Sequence, residues 1–87
     1  MNNARRKKIV EIAARLEEVQ AVLNNIYGQL EAVRDEEQEA LDNMPESLQD
    51  SEKGCQMQEC IYAMDSVLDE IYNLDPEVMR DQLLEFV

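Results

Sequence analysis

Apolar residues recur along the first half of the chain at alternating intervals of three and four. They are Ile9, Ile12, Leu16, Val19, Leu23, Ile26, Leu30 and Val33, then Ala40 and Met44, with Glu37 the one polar residue in register. Such spacing keeps one side of a helix apolar, and it stays in phase over many turns only where the helix packs lengthwise along another. It predicts a first helix from about residue 4 to about residue 43. With Ile9 as heptad position a, Leu16, Leu23, Leu30, Glu37 and Met44 share a, and Ile12, Val19, Ile26, Val33 and Ala40 share d. Position e adds Ala13, Tyr27 and Leu41. A face built from a, d and e is wider than a two-helix seam and belongs to a bundle helix. Gly28 falls at the outward f position, where it costs about 1 kcal/mol relative to Ala. With Asn24 and Asn25 it marks the weakest stretch of this helix.

The pattern breaks at Asp42-Asn43-Met44-Pro45-Glu46-Ser47. Pro45 cannot continue the first helix and biases Met44 away from helical geometry. Asn43 is placed to cap a turn that has Pro45 in its first positions. A turn over 44–47 then leads to a second helix from about 47 to about 74, with Ser47 as the favoured N-cap and Ser51 as the later alternative. Its apolar set is Met57, Cys60, Ile61, Met64, Val67, Leu68, Ile71 and Leu74. Asp75-Pro76 closes it, with Asp75 capping and Pro76 opening a short last helix over about 76–87. That tail carries Val78, Met79, Leu83, Leu84, Phe86 and Val87.

The connection is short, so the two long helices are expected to be antiparallel neighbours. At 1.5 Å per residue they span roughly 60 and 40 Å, and the tail adds about 18 Å. The second helix and tail together thus match the first. A tail that only kinks at Pro76 lies back along residues 5–16 and sets Arg5, Arg6, Lys7 and Lys8 beside Asp81, Glu85 and the terminal carboxylate. Four cations at a helix N-terminus oppose the helix dipole, which such neighbours would offset. Two helices cannot cover faces this wide, and a chain of 87 residues has little core to spare. The expected remedy is a homodimer that makes a four-helix bundle, with Leu16, Val19, Leu23, Ile26, Leu30, Ile61, Met64, Leu68 and Ile71 in self-association. The competing remedy is a heteromeric partner that supplies the missing helices. The fold class is all-α, in one domain.

Charge adds a second layer. The chain has 20 Asp and Glu against 8 Lys and Arg, a net of −12. Arg5, Arg6, Lys7 and Lys8 make up half of the basic residues, so the remainder is more acidic still. This potential repels nucleic acid and anionic membrane and favours a basic protein partner. No apolar run approaches the ~18 residues of a membrane span. The basic start has no apolar segment of a secretory signal, because Glu11 and Arg15 interrupt it. Cys55 and Cys60 sit about 140° apart on a helix and cannot bond to each other there. Free thiols fit a reducing cytoplasm, and both cysteines read as small, buried or half-buried apolar residues.

Candidate chemistry is sparse. There is no His for acid–base or triad work, Gly28 and Gly54 are isolated, and CxxxxC is not a zinc spacing. The chain is therefore expected to be non-catalytic and to hold no cofactor or metal. Asp42-Asn43-Met44-Pro45-Glu46 lacks the alternating ligands and central glycine of a calcium loop. The sharpest electrostatic feature is the acidic run around the turn, with Asp35, Glu36, Glu39 and Glu46 as candidate partner contacts. Asp65 and Asp69 extend it along the second helix. Such a surface can imitate a phosphate backbone and occupy a nucleic-acid-binding protein, or it can be merely solvated. Tyr62 and Tyr72 lie off the core stripe and are the aromatics placed to meet a partner. Arg5, Arg6, Lys7 and Lys8 are the candidates for a small anionic ligand, against the reading in which they pair with the acidic tail.

The segment Glu36-Glu37-Gln38-Glu39-Ala40-Leu41-Asp42-Asn43-Met44-Pro45-Glu46-Ser47-Leu48-Gln49 resembles the EEQEAxDNxPESLQ stretch of small acidic helical-hairpin proteins of bacteriophages and mobile elements. The likeness covers about residues 36–71 and is most specific over Pro45–Gln49. The two cysteines and the Asp-Pro tail are not features of that group. The resemblance implies an accessory protein in the cytoplasm of a bacterial host cell. It transfers no catalytic residues, and it implies an interaction role that includes interference with host defence. The alternative is a structural oligomerisation module without an external partner.

Overall fold

Helix accounts for 86% of the chain and no strand forms. The computed structural model describes residues 1–87, in the order α1 (Asn3–Asp42), α2 (Glu46–Gln49), α3 (Glu52–Asn73) and α4 (Pro76–Leu84). Contacts cluster into two units. One holds Met1–Asn25 with Asn73–Val87, and the other holds Ile26–Tyr72.

In the Ile26–Tyr72 unit α3 returns along α1, and the covered side of α1 can be read off residue by residue. Tyr27, Leu30, Arg34, Glu37 and Met44 are half-buried and Leu41 is buried. These are positions a and e, alternating at three and four, and Gln38 at b beside them is half-buried too. The d positions Ile26, Val33 and Ala40 are exposed. The facing set on α3 has the same spacing: Gly54, Ile61 and Leu68 are buried, and Met57, Met64 and Ile71 are half-buried. The a/d/e stripe thus divides. One chain closes a and e, 40° apart at 100° per residue, and leaves d about 80° round the helix from the centre of the seam.

The other unit repeats the division. Ala13 is buried, and Ile9, Leu16, Gln20 and Leu23 are half-buried, again at a and e. Pro76 is buried and Arg80 and Leu83 are half-buried on α4. The d residues Ile12 and Val19 are exposed. The buried aliphatic side chains are few, Ala13 in this unit and Leu41, Ile61 and Leu68 in the other.

The turn differs from the expected turn over 44–47 and helix from 47. Pro45 itself is the N-cap of α2, extended at ψ 142°, and Asn43 plays no capping part. The Pro45 carbonyl accepts from the amides of Leu48 at 2.8 Å and Gln49 at 3.1 Å. The chain then breaks at Asp50-Ser51, and the later start is the one adopted. Ser51 Oγ accepts from the Gly54 amide at 3.3 Å, as an N-cap does, while the Ser51 hydroxyl donates to the Leu48 carbonyl. The reason for the break is Gly54, whose missing side chain lets α3 begin against the backbone of α2. A Cβ there would overlap the Gln49 carbonyl and crowd that of Leu48. The Gln49 amide group closes the turn by donating to the carbonyl of Leu41 at 3.3 Å, which also accepts from the Met44 amide, and to that of Met44 at 3.1 Å. At the far end Asp75 caps α4, accepting from the Val78 amide at 3.2 Å with Pro76 in the first turn. The last helix stops at Leu84 rather than running to 87.

The two glycines are expected to behave oppositely. Around Gly28 a Cβ would meet nothing within 4 Å. Gly28→Ala is therefore expected to stabilise by about 1 kcal/mol. Gly54→Ala is expected to destabilise by about 1–3 kcal/mol, because backbone must move to admit the methyl group. Denaturant unfolding of the two variants measures both.

Candidate functional site

The chain's negative charge is concentrated in one unit. Ile26–Tyr72 carries thirteen carboxylates against Arg34 and Lys53, whereas the other unit is nearly balanced with seven acidic and six basic side chains. Within Ile26–Tyr72 an open groove is lined by Tyr27, Glu31, Arg34, Asp35, Asp65, Leu68 and Asp69. Arg34 anchors it. Its Nε donates to Asp65 Oδ1 at 2.8 Å and Nη2 to Asp65 Oδ2 at 3.4 Å, a two-point pairing across the hairpin, and Nη1 lies 3.5 Å from Asp35. The hydrogen bond to Asp65 raises the guanidinium pKa above its ordinary value against the opposing effect of partial burial. Arg34 is therefore a fixed positive charge in a carboxylate-lined channel.

Of the candidate partner contacts, Asp35, Glu36, Glu39, Glu46 and Asp69 are exposed, and Asp65 is half-buried and held by Arg34. Asp35, Asp65 and Asp69 share the groove, while Glu36, Glu39 and Glu46 lie outside its lining. Tyr62 and Tyr72 are 68% and 78% exposed. Arg34 was absent from the residues singled out by sequence. Its signal was its e position, which the Ala13, Tyr27 and Leu41 pattern already turned toward the seam.

The candidate self-association residues separate in the same way. Leu16, Leu23, Leu30, Ile61, Met64, Leu68 and Ile71 lie on the covered side within the chain, and Val19 and Ile26 are exposed. A second exposed apolar row on α3 is formed by Cys60 and Val67, seven residues apart. Both cysteines are free and exposed, which corrects their reading as buried small residues. The seam on α3 turns through Ile61 and Met64, and neither Cys55 nor Cys60 lies on it.

The basic cluster does not pair with the tail. Arg5, Arg6, Lys7 and Lys8 are exposed, and none forms an ion pair with Asp81, Glu85 or the terminal carboxylate. Arg80 of α4 engages the acids instead, with Nη1 3.2 Å from Glu17 and Nη2 2.9 Å from Asp81. Arg80 is half-buried, whereas four exposed surface cations gain little from fixing a partner. Arg6 Nη1 donates to Asn3 Oδ1 at 3.4 Å, a local contact.

No three His, Cys, Asp or Glu side chains converge as a metal-ligand set. No helix is long and apolar enough to cross a membrane. Compared with protein families, curated proteins and solved structures, the chain matches none.

The Arg34–Asp65 pair sets an expectation for salt. Arg34→Gln is expected to lower the midpoint of thermal unfolding in dilute buffer. The difference from the unchanged chain should shrink at about 1 M salt, where charges are screened within ~3 Å. Melting curves at the two salt concentrations test it.

Proposed function

We propose that the chain is a non-catalytic interaction protein that acts as a homodimeric four-helix bundle and offers its acidic surface to a basic protein partner. The observation that carries this reading is the segregation of surfaces. Apolar rows stay exposed on α1 and α3, while carboxylates crowd the groove that Arg34 organises. A core of four buried apolar residues is thin for 87 residues, which supports association as the way the remaining apolar surface is covered. Tyr62 and Tyr72 are exposed rings with an acid three residues away on the helix, Asp65 and Asp69, a combination suited to Lys and Arg side chains through charge and cation–π contact.

The resemblance of the turn segment to phage and mobile-element hairpin proteins supports a place for this activity in the cytoplasm of a bacterial host. There the acidic surface would occupy a nucleic-acid-binding or defence protein of that host. A purely structural module is the second reading, favoured by the exposed apolar rows alone.

Salt and charge separate the two. Capture of a basic partner from bacterial lysate is expected at low salt and is expected to fall at least about tenfold at high salt. The same loss is expected for Asp35→Asn with Glu39→Gln and Asp69→Asn, while the variant keeps the oligomeric state of the unchanged chain. Retention of every captured protein by this variant would leave only the structural reading.

A further inference from the structure

The exposed d row of α1 does not stand alone. Position g lies next to it, 60° further from the seam at 100° per residue. Together d and g form a second three-four stripe on the open side of the helix. Its apolar members Ile12, Val19, Val22, Ile26 and Val33 are between 43% and 57% exposed. Its polar members are Arg15, Gln29 and Glu36, with Arg5 and Lys8 continuing it toward the N-terminus, all exposed. Neither Arg15 nor Glu36 has an ion-pair partner within the chain.

This stripe is complementary to itself when reversed. About Ile26 as centre, Val19 is mirrored by Val33 and Ile12 by Ala40, each pair equidistant from it. At the g positions Val22 is mirrored within one residue by Gln29, and Arg15 by Glu36. Apolar thus meets apolar along the d row, and Arg15 meets Glu36, the one acid of the stripe. A parallel pairing would instead place Arg15 on Arg15 and Glu36 on Glu36, which like charges disfavour.

The charge of the whole helix points the same way. From Asn3 to Asn25, α1 carries five basic and three acidic residues, and from Ile26 to Asp42 one basic and six acidic. Its first turn has no acid and its last turn no base, the reverse of what the helix dipole favours. A reversed copy brings an acidic end to the basic end and a basic end to the acidic one, so both mismatches are offset by one arrangement. These are properties of one helix and its own register.

We propose that the d/g stripe of α1 is covered by the α1 of a second copy running antiparallel, with the two-fold axis at Ile26 and Arg15 of each protomer facing Glu36 of its partner. This rests on the homodimer proposed above and adds its surface, direction and register. The acidic groove uses other positions of α1 and stays open in such a dimer.

Cross-linking and charge exchange test it. In a Cys55→Ser, Cys60→Ser background, Ile26→Cys is expected to yield a disulfide-linked dimer under mild oxidation. Ile12→Cys is expected to yield none, because the two copies of residue 12 lie about eight helical turns apart. Arg15→Glu is expected to weaken dimerisation about tenfold through its two symmetric pairs, and Arg15→Glu with Glu36→Arg to restore it. All these positions are exposed, so helicity by circular dichroism should not change. Linking through both single cysteines would mean a parallel pair and would overturn the proposal. A dimer in sedimentation that links through neither, or that Arg15→Glu leaves unchanged without rescue by the exchange, would overturn this register and leave the homodimer standing. A monomer at every concentration would remove both.

Discussion

A helix can turn only a limited arc of its surface toward one neighbour, and that limit governs this protein. The apolar positions of α1 cover an arc from d through a to e, about 100° wide, and intrachain packing takes a and e. The choice leaves a row of Ile and Val side chains uncovered along the helix. Much else follows from that partition. The core is thin, the d row is free for another use, and the polar residues Gln20, Arg34 and Glu37 are drawn to the half-buried side because they occupy a or e.

Charge is partitioned as well. The acidic character suggested by the composition is not spread evenly, because the Ile26–Tyr72 unit holds most of the excess. Two ion pairs across helices, Arg34 with Asp65 and Arg80 with Glu17, place one cation in each unit against an acid from another helix. Surface pairs of this sort contribute little to stability on their own. Their position matters more, since Arg34 pairs with Asp65 and Asp35 and leaves Glu31 and Asp69 of the groove without an ion-pair partner.

Much of this was legible in the residues. The long helix, the return after Pro45, and Asp75-Pro76 as a helix start all follow from periodicity and capping chemistry. The split between a/e and d was not legible, because Ile and Val at d and Leu at a carry the same hydrophobic signal. Only the side that α3 and α4 take decides between them. The short α2 escaped for a different reason. Ser47 and Ser51 are equally good caps, and what favours the second is the closeness of backbone that Gly54 permits, a tertiary fact. The basic cluster was misread because opposite charges near in topology were assumed to meet. Cys60 was misread because its spacing from Ile61 left its side of the helix ambiguous.

The two-point contact of Arg34 with Asp65 has a mechanical consequence. A hairpin lined only with aliphatic side chains can slide by seven residues and find nearly equal packing, since Leu, Ile and Met substitute for one another. Here such a slip would carry Arg34 opposite Gln58 or Tyr72 and strand both charges at a partly covered boundary. The pair thus acts as a detent. It adds little to how tightly the two helices of the hairpin hold, yet it selects one alignment among several that apolar packing alone would accept.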